Sequence, residues 1–262
     1  MSRVAIVTGA SGGIGKCGAL CLVKAGCTVY DLSRRDYKQE GIIHIGTDVT
    51  DEDAVKAAVE QVLREQGRID ILVNNAGYGI SGAFEFTRNE DFKRLMDVNV
   101  FGTANCIKAV LPQMRFRGSG HIVNVSSVAA PLPIPFQTWY SCSKAAIKAM
   151  TMAVANEVKP FGISVCCVMP GDTSTGFTSA RNKSNAGDAE YKGRISKSVE
   201  KMEKDEQNGM SAQRAGEFIA RLALKSNPAP YNTIGLSYKL FVLLERLLPG
   251  RFIRFMLGKL YG

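Results

Sequence analysis

The sequence predicts an α/β fold: a doubly wound, mostly parallel seven-stranded sheet with helices on both faces. Three observations carry this. Short, continuously apolar runs such as Ile71-Leu72-Val73 and Val165-Cys166-Cys167-Val168 alternate with longer segments of helical spacing. Runs of this kind, without polar alternation, suit parallel strands covered on both faces. A glycine-rich turn, Thr8-Gly9-Ala10-Ser11-Gly12-Gly13-Ile14-Gly15, joins the first run to the first helical segment. Finally, 262 residues with no internal repeat or low-complexity linker suit one domain, large enough to bury most of its apolar surface.

Taken in order, the β-branched run Val4-Ala5-Ile6-Val7 sets a strand over 3–8. Apolar spacing through Ala19, Leu20 and Val23, stopped by Gly26, sets a helix over 13–25. Further strands are expected over 27–32, 42–46, 69–74, 120–126 and 163–169, with a short one near 231–234. Helices fill the gaps over 51–66, 90–115, 138–158 and 211–225. Right-handed crossovers then wind the sheet in both directions and leave a ligand crevice at the carboxyl ends of the strands.

The turn after the first strand is built as a phosphate cradle. Its glycines let backbone N–H groups approach a pyrophosphate, and the helix N-terminus adds favourable partial charge. A P-loop is excluded, because no Gly-Lys-Ser/Thr closes the turn. Downstream, Tyr140 and Lys144 stand four residues apart, so on a helix they share one face, with Ser126-Ser127 just upstream. A free tyrosine titrates near pH ~10, and a neighbouring ammonium is expected to lower that toward the range of useful acid–base catalysis.

On these residues and three further motifs the chain resembles the short-chain dehydrogenases/reductases. Thr8 to Gly15 matches the family's Thr-Gly-x-x-x-Gly-x-Gly, Asn74-Asn75-Ala76-Gly77 its Asn-Ala-Gly motif, and Ser127 precedes Tyr140 at the family's spacing. Asn99 falls at the family's active-site asparagine, and Pro170-Gly171 with Thr173 and Thr175 follows the sixth strand. The resemblance is close over roughly 3–175 and looser beyond.

What it implies is a Rossmann-type oxidoreductase exchanging a hydride between NADP(H) and a carbonyl or secondary alcohol. Tyr140 gives the proton, Ser127 stabilises the developing oxyanion, Lys144 lowers the tyrosine pKa and binds the nicotinamide ribose, and Asn99 holds a water that relays protons. Cofactor contacts are implied for Gly9, Ser11, Gly13, Ile14, Gly15, Ser33, Arg34, Arg35, Asp48, Val49, Asn75, Ala76, Gly77, Tyr140, Lys144, Pro170, Gly171, Thr173 and Thr175, with Asp48-Val49 closing around the adenine. In the family's register Ser33 stands where an acidic residue would select NAD, and Arg34 can pair with a 2′-phosphate, so NADP is preferred. Asp31, two residues earlier, is the alternative ribose ligand. A homodimer or homotetramer is the family's usual assembly.

Other features bound the reading. Seven cysteines, at 17, 21, 27, 106, 142, 166 and 167, form no Cys-x-x-Cys pair and read as small core residues in a reducing, cytoplasmic setting. With a first strand expected from residue 3, no signal peptide is expected before it. His44 and His121 both fall in expected strands, so no metal site is expected. The net charge of +9 alone would admit nucleic acid, but no clustered basic and aromatic surface or recognition motif accompanies it, and that class is set aside.

After Thr175, residues 176–210 are polar and charged, with one apolar stripe at Tyr191, Ile195, Val199 and Met202. Both a lid over the substrate and a surface helix packed on the domain fit it. The tail is apolar and basic: Leu236, Leu240, Leu243, Leu244 and Leu247 share one face, Pro249-Gly250 breaks the run, and a second piece carries Phe252, Ile253, Phe255, Met256, Leu257 and Leu260. Residues 236–262 hold five basic side chains and one acid, a net of +4. Neither piece reaches the ~20 apolar residues of a membrane span. An interfacial membrane contact, the wall of a lipophilic pocket and an oligomer contact all remain open for 236–262. The tail favours a lipophilic substrate such as a steroid, retinoid or lipid ketone. An NADP-binding sensor or scaffold without turnover is the alternative to an enzyme.

Overall fold

The structure is a computed structural model and describes residues 2–262. Seven strands form the central sheet: β1 (Val4–Thr8), β2 (Thr28–Ser33), β3 (Ile42–Gly46), β4 (Ile71–Asn74), β5 (Gly120–Val125), β6 (Ile163–Met169) and β7 (Tyr231–Thr233). Their spatial order is β7-β6-β5-β4-β1-β2-β3, and every pairing is parallel. This is the expected Rossmann-like sheet, with all of its strands parallel. The chain runs outward from β1 through β2 to β3, then returns to the other side of β1 as β4. Between β1 and β4, where the direction of winding reverses, the loops diverge and leave the crevice that binds ligands in sheets of this kind.

Helices cover both faces, which is why the strands lack polar alternation. On one side α1 (Gly13–Lys24) and α7 (Ala212–Leu224) bury Ala19, Leu22, Ala215 and Ile219 against Val7, Val29 and Val123. The two helices approach closely through glycines: a Cβ on Gly216 would lie 2.5 Å from Gly18 N and 2.6 Å from Cys17 Cβ. On the other side α2 (Glu52–Gln66), α4 (Gly102–Arg117) and α5 (Thr138–Val158) bury Val55, Val59, Ile107 and Val110 against Ile6, Tyr30, Leu72 and Ile122. Fully buried residues such as Leu22 and Leu72 each contribute about 1.5–3 kcal/mol through the apolar surface they remove from water. Asp51 caps α2 by accepting the Asp53 and Ala54 N–H groups, and Gly67, at φ 70°, ends it in the left-handed conformation.

The helix expected over 90–115 is interrupted. It begins as α3 (Asn89–Met96), passes through one π turn at Asp97–Phe101, and continues as α4. Asn99 sits at the centre of that turn, and its side chain bonds to groups far away in sequence. The extra residue turns the amide inward, a long-range requirement that helical periodicity does not encode.

Beyond β6 the chain adds α6 (Arg194–Gln207), α8 (Leu236–Leu247) and α9 (Gly250–Tyr261). The stripe read between Tyr191 and Met202 is buried: Ile195, Val199 and Met202 pack with Ala83 and Phe136. Salt bridges Arg181–Glu206 and Lys183–Glu203 tie α6 to the preceding segment. Val242 of α8 and Ile253 of α9 share a second small cluster with Leu132. No helix of the described residues is long and apolar enough to cross a membrane. Cys27, Cys106, Cys166 and Cys167 are buried, Cys142 is exposed, and none of the seven cysteines is paired.

Candidate active site

The carboxyl ends of the strands open into one cleft of about 1220 Å³. Single ligands occupy pockets of roughly 300–1,000 Å³, so this one has room for a dinucleotide and a second molecule together.

Its floor is the glycine-rich turn. Gly9 at φ 70° and Gly13 at φ 55° hold left-handed conformations that other residues resist. A Cβ on Gly9 would come within 3.0 Å of Ala76 Cα, and one on Gly15 would collide with Asn75 Nδ2. The turn is stitched to the end of β4. Thr8 Oγ1, buried, accepts the N–H groups of Asn75 at 3.0 Å and Ala76 at 2.9 Å, while Asn75 Nδ2 donates to the carbonyls of Thr8 and Gly9. Gly9, Ser11, Gly13 and Ile14 line the cleft with Asn75, Ala76 and Gly77. Gly15 lies behind the turn, where its missing side chain makes space for Asn75.

At the next strand the two candidate ribose ligands separate. Asp31 is completely buried; its Oδ1 accepts Ala10 N–H at 2.6 Å, and its Oδ2 accepts Ser33 Oγ at 2.6 Å and pairs with His44 Nδ1 at 2.9 Å. It braces the turn from behind and does not face the cleft. Ser33, Arg34 and Arg35 do line it, with both arginines exposed and Arg35 Nη2 3.4 Å from Ser11 Oγ. Asp48 and Val49 complete this end; Asp48 Oδ1 accepts Thr50 N–H at 3.0 Å and Thr50 Oγ1 at 2.8 Å. The open glycine turn, the helix N-terminus behind it and the two guanidinium groups fit a nicotinamide dinucleotide.

The catalytic candidates converge at the middle of the cleft. Ser127 follows β5 and accepts Ala129 N–H at 3.1 Å, which fixes its hydroxyl oxygen. Tyr140 and Lys144 project from the first turns of α5. Ser126 Oγ donates to Lys144 O at 2.7 Å and so docks that helix onto the end of β5. Lys144 is only 5% exposed; its Nζ donates to Val125 O at 3.0 Å and lies 5.7 Å from the centre of the Tyr140 ring. A side chain at Gly77 would crowd both Asn99 Oδ1, at 2.9 Å, and Lys144 Nζ, at 3.7 Å.

The protonation states depart from the sequence expectation. Burial pushes the Tyr140 phenol up to about 12, with the neighbouring Ser127 hydroxyl acting in the opposite direction. Burial also pushes the Lys144 ammonium down to about 8. Desolvation of the charged form is the leading cause of both shifts. At neutral pH the phenol therefore holds its proton.

Asn99 differs too. Its fully buried amide uses both N–H protons, on Tyr78 O and Ser143 Oγ, each at 3.0 Å, while Oδ1 accepts Tyr78 N–H at 3.1 Å. Ser143 Oγ in turn donates to Tyr140 O at 2.7 Å. The amide is thus a brace between the loop after β4 and the helix that carries Tyr140, and its N–H groups are not free to hold a relay water.

Past Tyr140 the cleft turns apolar. Phe177 stands 5.7 Å from the Tyr140 ring centre, and Leu132, Ile134, Met202, Phe241, Met256 and Leu257 form the walls. Both tail helices thus contribute to the pocket. Pro170, Gly171, Thr173 and Thr175 lie where the two halves meet; Thr175 Oγ1 accepts Phe177 N–H at 3.1 Å and its Cβ faces the open side of Gly13. Sequence reading missed Asp172 and Tyr238. Tyr238 packs where any side chain at Gly171 would stand, and its hydroxyl donates to Asp172 Oδ2 at 2.5 Å while accepting Asp172 N–H at 3.1 Å. Burial raises the Asp172 carboxyl above its ordinary range. Asp172 sits beside the matched Pro170-Gly171 motif, but Tyr238 carries no local signal.

Comparison with known proteins agrees with this geometry. Residues 3–186 match the family model described as short chain dehydrogenase. A 3-ketodihydrosphingosine reductase of Bacteroides thetaiotaomicron is 39% identical over 264 aligned residues, covering 99% of this chain and 98% of that one. A short-chain dehydrogenase from Streptomyces avermitilis superimposes with a TM-score of 0.83 at 32% identity, covering 99% of this chain and 96% of that one. The NADP-bound structure of ElxO superimposes at 0.75 and 26% identity, over 92% of this chain and all of that one. Sequence motifs, sheet order and cleft agree, and the chain belongs to the short-chain dehydrogenase/reductase family of oxidoreductases.

Proposed function

We propose that the protein is an NADPH-dependent reductase of a long-chain, amphiphilic ketone. The observation that carries this reading is the position of Tyr140. Its protonated phenol stands where a dinucleotide arm, floored by the glycine turn, meets an apolar arm walled by both C-terminal helices. The relative named 3-ketodihydrosphingosine reductase, matched over nearly its full length, supports a lipid ketone as substrate.

Bound in the cleft, the nicotinamide supplies a hydride to the carbonyl carbon. The chain's own residues do the rest. Ser127 donates a hydrogen bond to the carbonyl oxygen, offsetting the negative charge that develops there. Tyr140 transfers its proton to that oxygen, giving a secondary alcohol, and is reprotonated from solvent. Lys144, held on Val125 O, keeps a positive charge near the phenolate that is left behind. Asn99 and Ser143 hold the Tyr140 backbone in place. Asp172, whose Oδ1 has no partner among the described residues, faces the substrate arm and suits a cationic or hydrogen-bond-donating group near the carbonyl.

NADPH is favoured over NADH because Asp31 is fully engaged inside the protein, while Arg34 and Arg35 border the cleft. A 2′-phosphate would meet two guanidinium groups and not the Asp31 carboxylate. The test is oxidation of NADPH by the purified protein with 3-ketodihydrosphingosine, long-chain alkyl ketones, steroids and retinal. Turnover with the long-chain ketones and NADPH is expected. Tight NADPH binding with no turnover across the series would replace this reading with that of a cofactor-binding sensor.

A further inference from the structure

We propose that the two C-terminal helices seat the protein on an anionic bilayer surface, with the mouth of the substrate arm against the lipid. The stripe on α8 at i, i+4, i+7 and i+11 is bare: Leu236 is 83% exposed, Leu240 53%, Leu243 50% and Leu247 70%. On α9, Phe252 and Phe255 are 49% and 60% exposed. Each helix is already anchored by its opposite side, through Val242 and Ile253 in the cluster around Leu132. Each helix thus carries a packed side and, apart from it, a bare one.

Charge selects the occupant. Lys239, Arg246, Arg251, Arg254 and Lys259 are all exposed, none is in a salt bridge among the described residues, and Glu245 is the one acid of the segment. A two-fold contact with a second copy would press two faces of net +4 together. Phosphate headgroups neutralise the same charges while Leu and Phe enter the acyl boundary and the long basic stems reach back to the headgroups. Position adds a second argument. Phe241 and Leu260 belong both to the exposed surface and to the lining of the cleft, so the apolar surface runs unbroken into the substrate arm. If the substrate is the lipid ketone proposed above, it passes from bilayer to Tyr140 without crossing water; the docking itself does not depend on that reading.

The experiment is cosedimentation of the full chain with vesicles of phosphatidylcholine, with and without phosphatidylglycerol, at low and high salt. Partitioning onto the anionic vesicles is expected to exceed that onto neutral ones by about tenfold and to fall as salt rises. Leu240→Glu combined with Leu243→Glu, and separately Arg251→Glu with Arg254→Glu, should each remove most of the binding. Both pairs should leave NADPH turnover of a water-soluble ketone unchanged, which certifies the fold. Absent vesicle binding overturns the proposal, as does equal binding to both compositions. So does a concentration-dependent dimer in sedimentation velocity that Leu240→Glu dissolves, since the face would then belong to a second copy. Because binding is read without turnover, lipid-ketone reduction with no vesicle binding sinks the docking alone, and vesicle binding with no reduction sinks the enzymatic reading alone.

Discussion

The buried Asp31 carboxylate accepts the N–H of Ala10 at 2.6 Å, so the acid at the end of β2 holds the glycine-rich turn and has no free oxygen for a ribose. Cofactor selection then falls to Arg34 and Arg35. A charge-assisted hydrogen bond to phosphate contributes about 1.5–3 kcal/mol, so Arg34→Asp should weaken NADPH binding by roughly 10–100-fold and bring NADH level with it or ahead. Fluorescence titration with both cofactors checks this. Unchanged NADPH affinity in the variant contradicts the assignment. Asp31→Asn, by contrast, should weaken both cofactors alike, because it loosens the turn that both would share.

Gly15 offers a sterically sharper test. Its position is filled by the Asn75 amide, which is also the link between the turn and β4. Gly15→Val must displace that amide and is expected to cost about 1–3 kcal/mol of stability together with most dinucleotide binding. Gly12→Ala, with nothing within 4 Å of the added carbon, should leave both nearly intact. Thermal melts with and without NADPH separate the two; equal behaviour would refute the packing argument.

Lys144 makes a prediction about pH. Its folded pKa, about 8, lies below the unfolded value of ~10.4, so the folded state binds fewer protons between those values. The buried charge therefore costs stability at every pH below about 8, and the cost fades as pH rises toward ~10.4. Lys144→Met keeps the volume and removes the charge, and should abolish turnover while stabilising the fold by about 2 kcal/mol at neutral pH. The gain should shrink in melts taken at progressively higher pH. A destabilised Lys144→Met protein, or one whose gain does not depend on pH, contradicts the burial argument.

Asp172 and Tyr238 address the substrate. Asp172→Asn should raise KM about 10–100-fold for a ketone bearing a neighbouring amine and leave a plain alkyl ketone of equal length unaffected. Tyr238→Phe, which frees Asp172 Oδ2, should shift the same KM less. Equal losses on both ketones would reduce Asp172 to a structural role.

Much of this molecule is legible in its sequence because its signals are local. The seven strands follow from apolar runs that need cover on both faces, and α5 coincides with the expected 138–158 because its periodicity is unbroken. The glycine turn and the Ser127, Tyr140 and Lys144 spacing are likewise short-range patterns, and the cleft gathers all of them. What escaped depends on distant partners. The π turn at Asp97–Phe101 answers to Tyr78 and Ser143, and the role of Asp31 is settled by Ala10 and His44. Tyr238 reaches Asp172 across 66 positions of sequence. The pKa order of Tyr140 and Lys144 turns on how dry the cleft is, which spacing alone does not state. The leucine stripe of α8 has the period of a core-facing helix, yet it is Val242, off that stripe, that packs with Leu132 and Ile253.

The central claim is that the Tyr140 proton completes reduction of a ketone in this cleft, and Tyr140→Phe tests it with a single atom. Single-turnover oxidation of bound NADPH by a long-chain ketone should slow by about 10²–10⁴-fold in the variant, with NADPH affinity unchanged. A variant that turns over at nearly the wild-type rate would show that the proton comes from elsewhere and that the cleft has been read wrongly.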